Sequence, residues 1–268
     1  MKLRTIYIFI IISIILGLGT SCNKYQKILK KGDLETKYET TFKLYEKGDY
    51  ITALQFLDEL IPLYRGNEKL QKLMYIYPYS YYKNGDFMVA AYHFKQYSKL
   101  YPNTVEAQEC DYMSAYCSYM DSPPASLEQT NTHKAIRDLQ LFINKYPKSE
   151  KIAKCNELID ELRDKLSKKD FNIAKMYYNI ESYNAASIAF NNLIKEYPDT
   201  QYKEEAMFYL VQNYYEYASR STEARKKERY FSAIESHQKL LENFPESKYL
   251  KETENIAKMA ERQIEKIK

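Results

Sequence analysis

Apolar positions along this chain follow the helical period, and they do so in a unit that recurs. The clearest copy runs from Tyr82 to Pro102, where Ala90, Phe94 and Tyr97 are spaced four and three apart on one helical stripe. A glycine stands five residues before Ala90, an aromatic three before it, and Tyr101-Pro102 closes the segment. The same frame fits Ala53, Ala135, Ala186 and Ala233. Three residues before the five alanines stand Tyr50, Phe87, Thr132, Tyr183 and Tyr230; eleven after them stand Tyr64, Tyr101, Tyr146, Tyr197 and Phe244. The next position is Arg65 in the first copy and Pro102, Pro147, Pro198 and Pro245 in the others.

Each position has a physical reason. Gly48 and Gly85 sit where a first helix must end with positive φ, which glycine reaches at little cost. The aromatic after the turn packs between two helices, and the alanine is small because antiparallel helices cross closely there. Proline stops the second helix. The unit is a helical hairpin, and its recurrence predicts a repeat array.

The pattern predicts hairpins over residues 34–47 with 50–64, 67–83 with 87–101, and 104–120 with 126–146. The last pair is split by Asp121-Ser122-Pro123-Pro124. An unbroken helical pattern over 149–180 follows, either one long helix or two with a kink near Lys168-Lys169-Asp170, and its partner is 183–197. Residues 200–219 and 224–244 form the fifth pair, and 247–267 a closing helix with a polar outer face suited to an array's end. At Pro102-Asn103-Thr104, Pro147-Lys148-Ser149, Pro198-Asp199-Thr200 and Pro245-Glu246-Ser247 a hydroxyl is placed to cap the next helix. Successive alanine anchors are 37, 45, 51 and 47 residues apart. A plain tetratricopeptide repeat spans about 34 residues. The expected fold is therefore all-α, a tetratricopeptide-like helical-hairpin solenoid of about five repeats with insertions, plus a C-terminal capping helix. The expected segments are 1–21, 22–33, repeats 1–2 over 34–103, repeat 3 over 104–148, repeats 4–5 over 149–246, and the cap over 247–268.

Composition narrows the function. No glycine follows Gly85, which removes Gly-rich phosphate loops from the last two thirds of the chain. The formal charge is +4, and loss of residues 1–21 leaves 38 basic against 36 acidic side chains. A near-neutral chain with interleaved signs is no nucleic-acid binder on charge grounds. Cys110 and Cys117 lie on one predicted helix about 10 Å apart at 1.5 Å per residue, beyond disulfide reach. They read as buried thiols packing like small apolar groups, with a bridge from either to Cys155 as the alternative. His93, His133 and His237 fall in different repeats without partner ligands at metal spacing. No nucleophile motif, metalloprotease motif or phosphate loop occurs, so neither an enzyme, a metal nor a cofactor is expected.

The N-terminus carries a different signal. Lys2 and Arg4 precede an apolar run from Ile6 to Leu18, and Gly19-Thr20-Ser21 leads into Cys22. The run is short for a membrane span and suits a signal peptide. Small residues ahead of a cysteine match a lipoprotein signal, which makes Cys22 the expected acylated residue and membrane anchor. Residues 23–33 read as a short basic tether, its lysines either at lipid headgroups or simply solvated.

What remains is a surface. In the repeat frame, Tyr38, Phe42 and Tyr45 on one first helix match Tyr75, Tyr79 and Tyr82 on the next. Spacings of four and three put each triplet on one stripe. Tyrosine combines a large contact area with a hydroxyl for backbone groups, which suits peptide binding; the alternative is packing between helices.

Cys22, the turns Gly48-Asp49-Tyr50 and Gly85-Asp86-Phe87, and the Tyr197-Pro198-Asp199-Thr200 junction with its long preceding helix resemble the BamD family of outer-membrane assembly lipoproteins. The resemblance covers essentially the whole mature chain. It implies a lipid-anchored, periplasm-facing scaffold of the machinery that folds β-barrels into the outer membrane. Its implied partners are unfolded outer-membrane proteins, received in a groove of the first repeats, and the periplasmic domains of the central β-barrel assembly protein, met by residues 149–244. Tyr38, Phe42, Tyr45, Tyr75, Tyr79 and Tyr82 would line that groove. The rival is another tetratricopeptide lipoprotein, an adaptor for cell-wall or division proteins.

Overall fold

The stripe that anchors the repeat is buried in every copy. Ala53, Ala90, Ala135, Ala186 and Ala233 have no exposed surface. Four residues on, Leu57, Phe94, Leu139 and Phe190 are equally buried, and Leu60, Tyr97, Phe142, Leu193 and Leu240 continue the stripe three residues further. The fifth copy places His237 in the middle position, where it is half-buried and its Nδ1 lies 3.0 Å from the Thr253 hydroxyl.

The computed structural model describes residues 20–267, with side chains from Lys24 onward. The signal read over residues 1–21 and the thiol of Cys22 lie outside the described residues, apart from the backbone of one helical turn. Among the described residues the chain forms twelve helices and no strand. They are α1 (Thr20–Lys31), α2 (Leu34–Lys47), α3 (Tyr50–Leu63), α4 (Lys69–Asn84), α5 (Phe87–Leu100), α6 (Val105–Met120), α7 (Thr130–Lys145), α8 (Ile152–Asn179), α9 (Tyr183–Glu196), α10 (Lys203–Ser219), α11 (Glu223–Asn243) and α12 (Leu250–Lys266). The chain divides into two compact units. One runs through Asp121 and takes in Arg137–Lys151; the other combines Ser122–Ile136 with Ile152 onward. In the first unit α2 to α6 pack each against the next, and in the second α8 to α12 do the same. This is an all-α array of tetratricopeptide-like hairpins.

The second helices end alike. The backbone N–H of Tyr64, Tyr101, Tyr146, Tyr197 and Phe244 each donates to the carbonyl four residues back, and the turn then closes with a bond to that aromatic's own carbonyl from Asn67, Thr104, Ser149, Thr200 and Ser247. The hydroxyls after the prolines act one step earlier than expected. Those of Ser149, Thr200 and Ser247 accept from the N–H two residues on, ahead of helices that begin at Ile152, Lys203 and Leu250. Thr104 turns its hydroxyl back to the Tyr101 carbonyl at 2.9 Å.

One open alternative is decided, and two readings are corrected. The pattern over 149–180 is one helix, α8, of 28 residues without a break. Most of the segment read as a tether, 23–33, belongs to helix α1 (Thr20–Lys31), whose Tyr25, Ile28 and Leu29 pack on the core of the first hairpin. The helix after the third repeat's insertion begins at Thr130 rather than 126, because the insertion folds on itself. Gln129 Nε2 donates to the carbonyls of Pro124 and Leu127, and the Thr132 hydroxyl bonds Gln129 Oε1 at 2.7 Å and Ser122 Oγ at 2.6 Å. Those bonds are why a fully buried threonine replaces the usual aromatic here. Cys110, Cys117 and Cys155 are buried thiols, which settles the cysteine alternatives.

The turn between paired helices needs a left-handed residue. Gly48 and Gly85 have φ of 82° and 89°, and in the fourth hairpin Glu181 adopts 62°. All three lie five residues before their alanine. A left-handed residue with a Cβ carries a strain of about 1–2 kcal/mol. Nothing lies within 4 Å of a Cβ built on Gly85, so the cost of Gly85→Ala is conformational alone. We expect Gly85→Ala to lower unfolding stability by about 1 kcal/mol and Glu181→Gly to raise it, both read by urea denaturation.

The buried polar centre of the first unit is Asp111 on α6. Its carboxylate accepts from Lys95 Nζ at 2.9 Å, Ser98 Oγ at 2.7 Å, Lys145 Nζ at 2.6 Å and the Tyr146 hydroxyl at 2.8 Å. These bonds tie α5, α6 and the end of α7 together. Burial alone would raise the Asp111 pKa; the four donors outweigh it and bring the carboxyl down to about 2. A depressed acid stabilises the fold above its ordinary pKa, and this contribution is lost as pH falls toward 2. Asp111→Asn should cost about 2 kcal/mol at neutral pH and flatten the fall in stability between about pH 5 and pH 2, measured as unfolding midpoints across that range.

A candidate peptide-binding face

The first helices of the hairpins in the first unit are α2, α4 and α6. On α2, Tyr38 and Phe42 pack with ring centroids 4.9 Å apart, and Tyr45 meets Tyr50 edge-on at 5.6 Å. On α4, Tyr75 and Tyr79 lie 5.1 Å apart and rest on Tyr97 and Phe94 of α5 at 5.5 and 4.8 Å; Tyr82 rests on Phe87 at 5.8 Å. All six predicted residues are half-buried. They are brought together in sequence order across neighbouring helices. Lys69 at the start of α4 reaches across to Glu35 at 2.6 Å and lies 4.9 Å over the Tyr38 ring. Tyr75 is close enough to Tyr45 to raise its pKa, a shift caused mainly by burial.

A third triplet, missed in the sequence, extends the row. Tyr112, Tyr116 and Tyr119 on α6 repeat the same four-and-three spacing. Tyr116 stacks with Tyr112 at 6.0 Å and with Tyr119 at 5.8 Å, and it meets Tyr82 of α4 at 6.3 Å. The signal was present but displaced. Tyr38 and Tyr75 stand 15 residues before Ala53 and Ala90, whereas Tyr112 stands 23 before Ala135, because the insertion after α6 lengthens the repeat.

The row offers rings and hydroxyls together. Burial is the main cause of raised pKa at Tyr38, Tyr45, Tyr75, Tyr79 and Tyr82, so all five remain protonated donors at neutral pH. The Tyr79 hydroxyl meets only that of Tyr75, at 3.5 Å, and among the described residues no hydrogen bond engages those of Tyr45 or Tyr82. Tyr81, by contrast, faces α5, where it stacks on His93, and its hydroxyl lies 3.3 Å from that of Tyr77, which donates to Asp58.

The second unit fills the equivalent positions differently. Phe171, Lys175 and Tyr178 on α8 stand 15, 11 and 8 residues before Ala186, the offsets of the aromatic triplets. Lys175 pairs with Glu205 of α10 at 3.2 Å and lies 4.9 Å over the Tyr209 ring. The Tyr178 hydroxyl donates to Gln212 Oε1 at 3.3 Å, and Gln212 Nε2 donates to Glu252 of α12 at 2.8 Å. A lysine thus stands at the middle position, between the aromatic Phe171 and Tyr178, where the first unit has a third ring. Among the described residues no cluster of His, Cys, Asp and Glu could hold a metal, and no helix is long and apolar enough to cross a membrane.

The model of the family YfiO, described as an outer membrane lipoprotein, matches residues 31–230. No curated protein matches the chain by sequence. Among solved structures the chain is similar to the TPR domain of P58(IPK), with 13% identity, 89% of this chain and 68% of that one covered, and a TM-score of 0.40. It is also similar to a tetratricopeptide repeat protein from Parabacteroides merdae ATCC 43184 (13% identity, 85% and 98% covered, TM-score 0.33). A third is Acl4, an assembly chaperone of RpL4 (12% identity, 87% and 97% covered, TM-score 0.26).

The geometry separates ring from hydroxyl. A 3.5 Å contact is a poor hydrogen bond, so Tyr79→Phe and Tyr82→Phe should each change unfolding stability by less than about 0.5 kcal/mol. Tyr79→Ala removes a ring packed on Phe94 and Tyr97's neighbour Tyr75, and should cost about 2–4 kcal/mol in the same denaturation experiment.

Proposed function

Since the chain belongs to the YfiO family of outer membrane lipoproteins, we propose that it is a non-catalytic scaffold of the machinery that assembles β-barrels in the outer membrane. In this reading acyl chains on Cys22 hold it at the membrane, facing the periplasm. The aromatic face of α2, α4 and α6 receives segments of unfolded outer-membrane proteins. The second unit, within residues 149–244, docks on the periplasmic domains of the central β-barrel assembly protein.

One observation carries the reading: three triplets, Tyr38-Phe42-Tyr45, Tyr75-Tyr79-Tyr82 and Tyr112-Tyr116-Tyr119, in one register on successive first helices. An extended segment with aromatic side chains can lie across such a row. Its rings meet tyrosine rings, and its backbone groups meet the hydroxyls of Tyr45 and Tyr82. Ordering a flexible segment keeps the affinity modest, as a client that must be passed on requires. Anchoring the scaffold beside the barrel machinery raises the effective concentration of the client there.

The test uses labelled peptides copying the C-terminal strands of β-barrel proteins, with binding read by fluorescence anisotropy. Tyr45→Ala with Tyr82→Ala and Tyr116→Ala should weaken binding at least about 10-fold, and the corresponding Phe variants should weaken it less while keeping full stability. Unchanged binding by the alanine variant would sink the face as a binding site. Mild detergent extraction tests the scaffold reading separately. A large β-barrel partner is the expected companion, and recovery of cell-wall enzymes instead would favour the adaptor reading.

A further inference from the structure

We propose that the exposed face of α1 lies against anionic phospholipid headgroups, so that the lipid anchor and a basic helix together fix the first hairpin to the membrane surface; this rests on the reading of Cys22 as acylated. The sequence of α1 has two sides. Tyr25, Ile28 and Leu29 pack on the core formed by Leu44, Leu54, Leu57 and their neighbours, and Gln26 Nε2 donates to Gln55 Oε1 of α3 at 3.0 Å. These contacts decide which way the helix faces. Lys24, Lys27, Lys30 and Lys31 are all left exposed, and three of them, Lys24, Lys27 and Lys31, share one stripe at spacings of three and four.

Nothing on the protein neutralises this face. The chain has no acidic residue before Asp33. Lysines on other helices do find carboxylates, within one turn as Lys43 with Glu39 and Lys258 with Glu254, or across helices as Lys95 and Lys145 with Asp111. Among the described residues no carboxylate pairs with any of the four lysines of α1. Four unpaired cations on a helix that begins beside the acylated position make a surface complementary to anionic headgroups. A basic segment beside an anionic membrane is held more tightly with each lysine at the surface.

The link from α1 to α2 makes the contact an orienting one. Only Gly32 and Asp33 separate the helices. The Gly32 N–H donates to the Ile28 carbonyl at 2.7 Å, and a Cβ on Gly32 would fall 2.7 Å from that same oxygen. Asp33 then caps α2 through the Thr36 N–H at 2.8 Å. With α1 also packed on the core, a membrane plane touching its lysines sets the attitude of the first hairpin. A loose tether would leave that attitude free.

The experiment reconstitutes the full chain, as isolated from its membrane, in vesicles of phosphatidylglycerol or of phosphatidylcholine. An amine-reactive reagent is applied, and modification of each lysine is followed by peptide mass spectrometry. We expect Lys24, Lys27, Lys30 and Lys31 to react about 10-fold more slowly or less in phosphatidylglycerol vesicles. About 1 M salt, where the screening length falls to about 3 Å, should restore their rates. Exposed Lys148 serves as the control and should react alike in both. Equal rates for the four lysines in the two lipids would overturn the proposal, and so would slowing that is the same in both, which would place α1 at the membrane without headgroup recognition. The intact mass of the same sample reports the anchor independently. An unmodified Cys22 with charge-dependent protection would remove the anchor reading and leave the headgroup contact; an acylated Cys22 without protection would do the reverse.

Discussion

Close contact between paired helices at a position with room for no more than a methyl group underlies the rest of this structure. Ala53, Ala90, Ala135, Ala186 and Ala233 are completely enclosed. The large side chains that follow at four and seven residues pack on either side of each crossing. Protein interiors have the density of crystals, so a larger residue at such a point must push the helices apart or leave its rotamer. The crossing therefore sets the separation and register of every hairpin. In the first unit it lets successive first helices bring their repeat positions near one another, as the Tyr82 and Tyr116 rings do at 6.3 Å, so that these positions form a row.

The two units fill that row differently. In the first it is nine aromatic residues, with edge-on and tilted ring contacts along and between helices. Rings of this kind make broad contact with many partners and demand little of their sequence. In the second unit Lys175 interrupts the rings between Phe171 and Tyr178, and internal polar bonds tie the row down, Lys175 to Glu205 and Tyr178 through Gln212 to Glu252.

Much of this was legible in the sequence, and the failures share a cause. The alanine frame predicted the hairpins, their turns at Gly48 and Gly85, and six of the nine aromatics, because each rests on residues a fixed distance apart. The third triplet was lost because Tyr112 is displaced from the frame by the folded insertion at 122–129. Glu181 was invisible as a left-handed residue, since only glycine advertises that conformation. The Asp111 centre joins residues 13 to 35 apart in sequence, and no local pattern links Ser98 or Tyr146 to a particular aspartate. Helix α1 was read as a tether on its charge, but its Tyr25, Ile28 and Leu29 needed a core to pack against before their spacing meant anything.

The most direct measurement of the central claim is site-specific photo-crosslinking in living cells. A benzophenone side chain would be placed in turn at Tyr45, Tyr82 and Tyr116, one for each first helix, and at Tyr92 on the exposed back of α5. The account predicts adducts with newly made β-barrel proteins from the three row positions and none from Tyr92. Adducts from Tyr92 with a silent row would contradict it.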